Sequence, residues 1–167
     1  MKILMIIALF LLIGCGGTFQ KEIVISREEI QEMVNAKFPY DKNALVARLT
    51  LHDPQIYFVE NNIGMRLEFK GNWLEKEIKG YVAFDGKIAY RRGAFYLEEF
   101  NVTEFAETNV NSDTERLRGI LANVVNNYIS KHPVYKLNPR DFKQNLAKIL
   151  LRDVFVRGSD LVAVVGI

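Results

Sequence analysis

The chain has few of the side chains on which most protein chemistry depends. Its 167 residues include one tryptophan, two histidines (His52 and His132) and a single cysteine, Cys15. A single cysteine excludes an internal disulfide, so the hydrophobic core alone has to stabilise the fold. The 22 basic and 20 acidic side chains are nearly balanced. We therefore expect no nucleic acid partner, because nucleic acid binding requires a basic surface that pairs with phosphates.

Common catalytic motifs are also absent from the sequence. It contains no Gly-x-Ser-x-Gly, no His-Glu-x-x-His and no phosphate-binding loop. His52 ends a predicted strand and His132 ends a predicted helix, and neither shows the sequence spacing of a metal site. We interpret both histidines as solvated or capping side chains. We expect a protein that is not an enzyme and that uses no cofactor and no metal, because the sequence pairs no nucleophile with a base.

The longest apolar segment is too short to cross a membrane. It covers residues 3–12, whereas a spanning helix needs about 20 apolar residues. A lysine precedes it, and Gly14 and Cys15 follow it, which is the pattern of a bacterial lipoprotein signal peptide. We predict a signal peptide at residues 1–14 and lipidation of Cys15 with acyl chains such as palmitate. Two alternatives remain open: a secretory signal cleaved elsewhere, and an uncleaved amphipathic anchor.

Lipidation of Cys15 would determine both the membrane contact and the location of the chain. Each buried methylene of an acyl chain contributes about 0.8 kcal/mol, so several chains hold a domain stably on a bilayer. Gly16 rather than aspartate follows the cysteine, which favours the outer membrane, facing the periplasm. We therefore expect a lipidated tether at residues 15–21. A single domain at residues 22–167 follows, and it is long enough to build a hydrophobic core.

Alternation of apolar and polar side chains predicts a sheet-rich domain. The clearest example is residues 63–70, where every second side chain is apolar. Asp85 and Gly86 predict a hairpin turn, because both positions tolerate a positive φ. The central segments together predict an antiparallel meander of about five or six strands. The other expected strands are residues 22–25, 45–52, 55–60, 74–84, 87–91, 94–105, 154–156 and 161–165.

Capping residues mark the starts of three helices. The first helix begins with a capping box at Ser26 and ends before Pro39, and a second capping box begins at Ser112. Asn138 and Pro139 predict the start of the third helix, with proline at its first position. We predict the α+β class: a curved antiparallel β-sheet wrapped on an amphipathic helix, with three helices in all.

One face of the predicted sheet and one stripe of the second helix are strongly apolar. The simplest interpretation is that they form the hydrophobic core. The alternative is that they leave a groove for a lipid or another apolar ligand, because ligand pockets are concave and mostly apolar. The predicted lining of that groove comprises Leu49, Leu51, Met65, Leu67, Phe69, Ile78, Val82 and Phe95 of the sheet, and Leu117, Leu121, Val124 and Tyr128 of the helix.

Three segments resemble the YceB-like family of bacterial lipoproteins, a domain without an assigned function. They are residues 23–30, 93–102 and 117–137, and the last leads from an amphipathic helix into a Pro-x-Tyr-x-Leu step. The family is similar in architecture to tubular lipid-binding domains, in which a long antiparallel sheet wraps a helix around a lipid-sized cavity. The resemblance implies this fold and a lipid-related role, with no catalytic residues. It carries over Cys15 as the lipidation site.

The sequence leaves two functions in competition. The first is an envelope lipoprotein that is held on the membrane through lipidated Cys15 and that binds a lipid or acyl ligand without catalysis. The second is a structural or protein-interaction lipoprotein with a fully packed core and an envelope protein as its partner. A cavity between sheet and helix would favour the first function, and a closed core would favour the second.

Overall fold

A computed structural model describes most of the chain, namely residues 20–44, 47–73, 76–108 and 114–166. Cys15 and the predicted signal peptide at residues 1–14 lie outside the described residues, and so does most of the predicted tether. The same holds for the predicted capping residue Ser112. None of the helices in the described part combines the length and the hydropathy that crossing a membrane requires.

The described residues form nine strands and three helices. The strands are β1 (Gln20–Ser26), β2 (Tyr40–Ala44), β3 (Ala47–Val59), β4 (Asn62–Trp73), β5 (Lys76–Arg91), β6 (Ala94–Glu107), β7 (Tyr135–Lys136), β8 (Leu151–Arg157) and β9 (Asp160–Gly166). The helices are α1 (Arg27–Asn35), α2 (Thr114–Ile129) and α3 (Phe142–Leu150). Three helices packed beside antiparallel strands confirm the predicted α+β class.

The strands build two antiparallel sheets. Six of them form a sheet in the order β2-β3-β4-β5-β6-β7, and the other three form a sheet in the order β1-β9-β8. The larger sheet is the meander that the alternating pattern predicts. The smaller sheet depends on a long-range pairing in which Gln20 of β1 lies opposite Gly166 of β9. The first and last strands of the described chain therefore lie side by side.

The second helix packs against the larger sheet and completes the hydrophobic core. Its buried side chains recur at every fourth position: Leu117, Leu121, Val125 and Ile129. This spacing places them on one face of the helix. The sheet contributes large side chains that are fully buried, among them Phe69, Phe84 and Phe95. No charged side chain among the described residues is fully buried, so the core is apolar.

The start of α1 confirms the first predicted capping box. The Ser26 hydroxyl accepts a hydrogen bond from the Glu29 amide at 3.2 Å, and the Glu29 carboxylate accepts one from the Ser26 amide at 2.9 Å. These bonds satisfy two amides that the first turn of a helix leaves without partners. The helix ends at Asn35, before Pro39, as predicted.

The predicted hairpin turn at Asp85 and Gly86 is wrong, because β5 runs through both residues without turning. The pairing of β5 with β6 shifts its register between Asp85 and Lys87, which marks a β-bulge. A Cβ atom on Gly86 would lie 2.8 Å from the carbonyl oxygen of Glu98. Glycine at this position therefore permits a close approach of two strands rather than a reversal of the chain.

The predicted start of the third helix is wrong by about one turn. Asn138 closes a turn instead, in which its side-chain oxygen accepts a hydrogen bond from the Arg140 amide at 2.9 Å. The helix begins after Asp141, whose carboxylate accepts from the amides of Lys143 and Gln144 at 2.8 and 3.2 Å. Asparagine and aspartate both make local bonds of this kind, so the sequence alone does not distinguish the turn from the cap.

Candidate functional site

The structure places most of the predicted ligand-lining residues inside the packed core. Ten of the twelve are at most 4% exposed: Leu49, Leu51, Met65, Leu67, Phe69, Ile78, Val82, Phe95, Leu117 and Leu121. They belong to one continuous apolar cluster formed by the sheet and α2. Val124 and Tyr128 are only partly buried, and they border an open groove. Among the described residues, the space that is open to a ligand therefore lies along the edges of α2.

A groove lies between α2 and the edge strand β2, with a volume of about 460 Å³. This volume falls within the range of about 300 to 1,000 Å³ that is typical of small-molecule pockets. We call it the β2–α2 groove. Its lining consists of Tyr40, Lys42, Ile120, Asn123, Val124, Asn127, Tyr128, Lys131 and His132.

Stacked rings form one wall of the β2–α2 groove. The Tyr128 ring stacks on the Tyr40 ring, with centroids 3.8 Å apart and planes inclined by 26°. His132 follows one helical turn after Tyr128, and its ring centroid lies 4.3 Å from that of Tyr128. Phe38 approaches Tyr128 edge-on at 5.7 Å. Such ring pairs are energetically favourable beyond the area they bury, so the wall is a fixed surface.

Hydrogen bonds hold the central ring of this wall in place. The Tyr128 hydroxyl donates to the carbonyl oxygen of Lys37 at 2.9 Å, which ties the end of α2 to the segment after α1. Burial raises the pKa of the Tyr128 phenol, and the neighbouring Tyr40 raises it further. The phenol therefore remains a neutral hydrogen-bond donor at physiological pH. The Nδ1 atom of His132 lies 2.7 Å from the Tyr128 carbonyl oxygen, which confirms the interpretation of His132 as a capping side chain.

Basic side chains surround the β2–α2 groove. Lys42, Lys131 and His132 line it, and none of the lining residues that the structure describes carries a carboxylate. Asp41, which precedes Lys42 in β2, accepts a hydrogen bond from Thr50 at 2.6 Å. Beneath the wall, the Lys37 ammonium donates to the carbonyl oxygen of Pro133, and burial lowers the pKa of Lys37. The groove thus combines apolar walls with positive charge.

A second cavity lies on the opposite side of α2, against β5 and β6, with a volume of about 300 Å³. Its lining is mostly apolar and comprises Val82, Phe84, Glu99, Phe100, Val102, Ala122, Asn123, Val125 and Asn126. Asn123 borders both this cavity and the β2–α2 groove. The helix is therefore seated on the sheet through its central stripe, while open space remains along both of its flanks.

Three side chains elsewhere could hold a metal ion. His52, Asp53 and Glu68 each bring one ligand atom into a group whose members lie within 4.8 Å of one another. The pairing of β3 with β4 places His52 opposite Glu68, and a bulge after His52 holds Asp53 at a φ of 48°. No metal-ligand spacing is visible in the sequence around His52, because the approach of Glu68 depends on strand register and on a bulge. The group is solvent-exposed apart from His52.

The sequence-based prediction missed seven of the nine residues that line the β2–α2 groove. It identified Val124 and Tyr128 from the helical stripe, but it assigned no strand to residues 40–44 and therefore missed Tyr40 and Lys42. The available signal was the aromatic pair Phe38 and Tyr40 on either side of Pro39, which is unusual for a solvated turn.

Comparisons with known proteins give a family and a distant structural likeness. No curated protein matches the chain. Among solved structures, the crystal structure of lipopolysaccharide binding protein is similar with 12% sequence identity and a TM-score of 0.32. The match covers 89% of this chain and 39% of that one, so the chain spans well under half of its length. The family model described as "Protein of unknown function (DUF1439)" matches residues 25–159.

Proposed function

The chain belongs to the DUF1439 family of proteins of unknown function, and we propose that it binds an anionic amphiphile in the β2–α2 groove. The ligand class is an acyl chain with a negatively charged head group. The observation that carries this proposal is the combination of an aromatic and aliphatic wall with basic side chains in one groove of about 460 Å³. The binding is non-catalytic.

Apolar walls supply the affinity for the acyl chain. Tyr40 and Tyr128 present ring faces, and Ile120 and Val124 present aliphatic side chains to the same space. Each methylene removed from water contributes about 0.8 kcal/mol, so burial of about six methylenes contributes about 5 kcal/mol. Part of this gain is offset by the loss of ligand freedom on binding.

Positive charge supplies the preference for an anionic head group. The ammonium groups of Lys42 and Lys131 lie around the groove without a carboxylate in its lining. Exposed ion pairs contribute at most about 1 kcal/mol each. The charges therefore select among amphiphiles and orient the head group toward solvent, whereas the walls provide most of the binding free energy.

The proposed location rests on Cys15. Acyl chains on this residue hold the domain on a bilayer, in our proposal the outer membrane facing the periplasm, where amphiphiles are abundant. The predicted signal peptide at residues 1–14 directs export. Of the twelve residues predicted from the sequence, the proposed site retains Val124 and Tyr128, and it adds Tyr40, Lys42, Ile120, Lys131 and His132.

A titration with a fluorescent fatty acid tests the proposal. Val124→Glu places a carboxylate inside the groove, and we expect it to weaken binding by at least about tenfold, because the carboxylate repels the anionic head group and sets a charge against the acyl chain. Val59→Glu is the matched control, since Val59 is 43% exposed and lies at the end of β3. Equal binding by both variants, or no binding by the unaltered chain, would refute the proposed site.

A specific observation favours a second function, a structural or protein-interaction lipoprotein. The core is packed, and the larger sheet also carries half-buried tyrosines outside the core, with Arg66 stacked 3.7 Å from the Tyr81 ring and Arg91 4.2 Å from the Tyr96 ring. Aromatic and arginine side chains are enriched at protein interfaces. In-cell cross-linking separates the two functions: one recurring envelope protein partner that is lost in Tyr81→Ala, without bound lipid, would favour the second.

A further inference from the structure

The third helix exposes two large apolar side chains to solvent. Phe142 is 76% exposed and Ile149 is 80% exposed. They lie seven residues apart, which is nearly two full turns, so both project from the same face of α3. Isolated exposed apolar residues are common, but two large ones aligned on one short helix form an apolar stripe that is available for contact. We call the Phe142 and Ile149 side of the helix the α3 face.

The opposite side of α3 is fixed to the domain. Ala147 is fully buried in the core cluster, and the Tyr90 hydroxyl donates to its carbonyl oxygen at 3.4 Å. Asp141 caps the first turn. The helix is therefore held rigidly with Phe142 and Ile149 directed away from the core, and their exposure is a property of the folded domain.

Basic side chains flank the α3 face. Residues 140–152 contain Arg140, Lys143, Lys148 and Arg152 against a single carboxylate, that of Asp141. Lys143 and Lys148 are exposed, and their helical positions lie about 100° to 120° to either side of Phe142. An apolar stripe bordered by lysines on both sides matches a lipid surface, since the lysine stems cover apolar groups while the ammonium groups reach anionic head groups.

The strand register places the α3 face close to the proposed anchor. Gln20 lies opposite Gly166 and Leu151 lies opposite Val165, so the starts of β1 and β8 flank the same end of β9. Neighbouring strands are about 4.8 Å apart, which separates these two starts by about 10 Å. Ile149 precedes β8 by two residues. Cys15 precedes Gln20 by five residues, and five residues of chain reach at most about 17 Å.

We propose that the α3 face docks on the surface of the bilayer that holds the acyl chains of Cys15, with anionic lipid head groups as its contacts. The inference rests on the lipid anchor of the proposed function, and it is independent of the ligand groove. A tether this short keeps the α3 face within reach of the bilayer. Anchor and helix together then fix one orientation of the domain relative to the membrane.

A spin-label measurement on the full acylated chain tests this docking. The protein is reconstituted into vesicles of phosphatidylcholine and phosphatidylglycerol, with a nitroxide attached through Ile149→Cys. Cys15 is the only native cysteine, and in the proposed lipidated form its thiol is already modified, so the new thiol is the one that reacts. Ser159→Cys, in the turn at the opposite end of the same small sheet, is the matched control. Relaxation by oxygen, which concentrates in bilayers, is compared with relaxation by a water-soluble nickel chelate.

The expected result is a several-fold higher oxygen-to-nickel ratio at position 149 than at position 159, with a decrease when phosphatidylglycerol is omitted. Equal, water-like ratios at both positions in a chain that floats with the vesicles would overturn the docking while the anchor stands. A chain that does not float with the vesicles would overturn the anchor and the docking together. Both substituted positions are exposed, so the labels leave the core packing unchanged.

Discussion

Truncation of Leu121 tests whether α2 is part of the core or the lid of an empty ligand cavity. Leu121 is fully buried at the centre of the helix. Leu121→Ala removes about three methylene-sized groups, which corresponds to about 2.4 kcal/mol of transfer free energy. The cavity that remains adds to this loss, so we expect the free energy of unfolding to fall by about 3 to 5 kcal/mol.

Urea unfolding followed by circular dichroism measures this change. The control is Ile149→Ala, at a position 80% exposed on α3, for which we expect a change within about 0.5 kcal/mol. A loss below about 1 kcal/mol for Leu121→Ala would refute the packed core. Such a small loss would mean that Leu121 borders open space. That result would be expected if a ligand groove lay between the sheet and the central stripe of α2.

Three further predictions concern local structure. Ser26→Ala removes one half of the capping box and should lower the free energy of unfolding by about 1 kcal/mol in urea. Gly86→Ala places a methyl group against the Glu98 carbonyl oxygen. It should lower the thermal midpoint of unfolding and reduce the free energy of unfolding by about 1 to 3 kcal/mol. Arg157 donates two hydrogen bonds to Glu22 at 2.8 and 2.6 Å, which lowers the pKa of that carboxylate. This contribution is present at neutral pH and is lost as the pH falls through the lowered pKa. Arg157→Ala should return the pKa of Glu22 to its ordinary value in an NMR titration.

Local sequence signals predicted those parts of the fold that local bonds determine. The capping box at Ser26 involves residues three apart, and the alternation at 63–70 is a property of one strand, so both could be read from the chain. The hairpin turn predicted at Asp85 and Gly86 is wrong, because glycine occurs both in hairpin turns and in bulges where two strands approach closely. The helix start predicted at Asn138 is wrong for a similar reason, since this asparagine closes a turn before the helix begins.

Features that depend on long-range pairing could not be predicted. The smaller sheet requires β1 to meet β9 across the whole chain, and no local pattern encodes that meeting. The groove depends on β2 at the sheet edge, which brings Tyr40 beside Tyr128 from 88 positions away in the sequence. The approach of His52 to Glu68 likewise depends on strand register. The helical stripe alone identified Val124 and Tyr128.

Native mass spectrometry of the chain purified from membranes tests whether the β2–α2 groove holds an anionic amphiphile. We expect one bound anionic amphiphile per chain, present in the unaltered protein and in Val59→Glu, and lost in Val124→Glu. Spectra that show only the ligand-free mass for the unaltered protein, after an anionic amphiphile is offered in excess, would refute ligand binding in the groove.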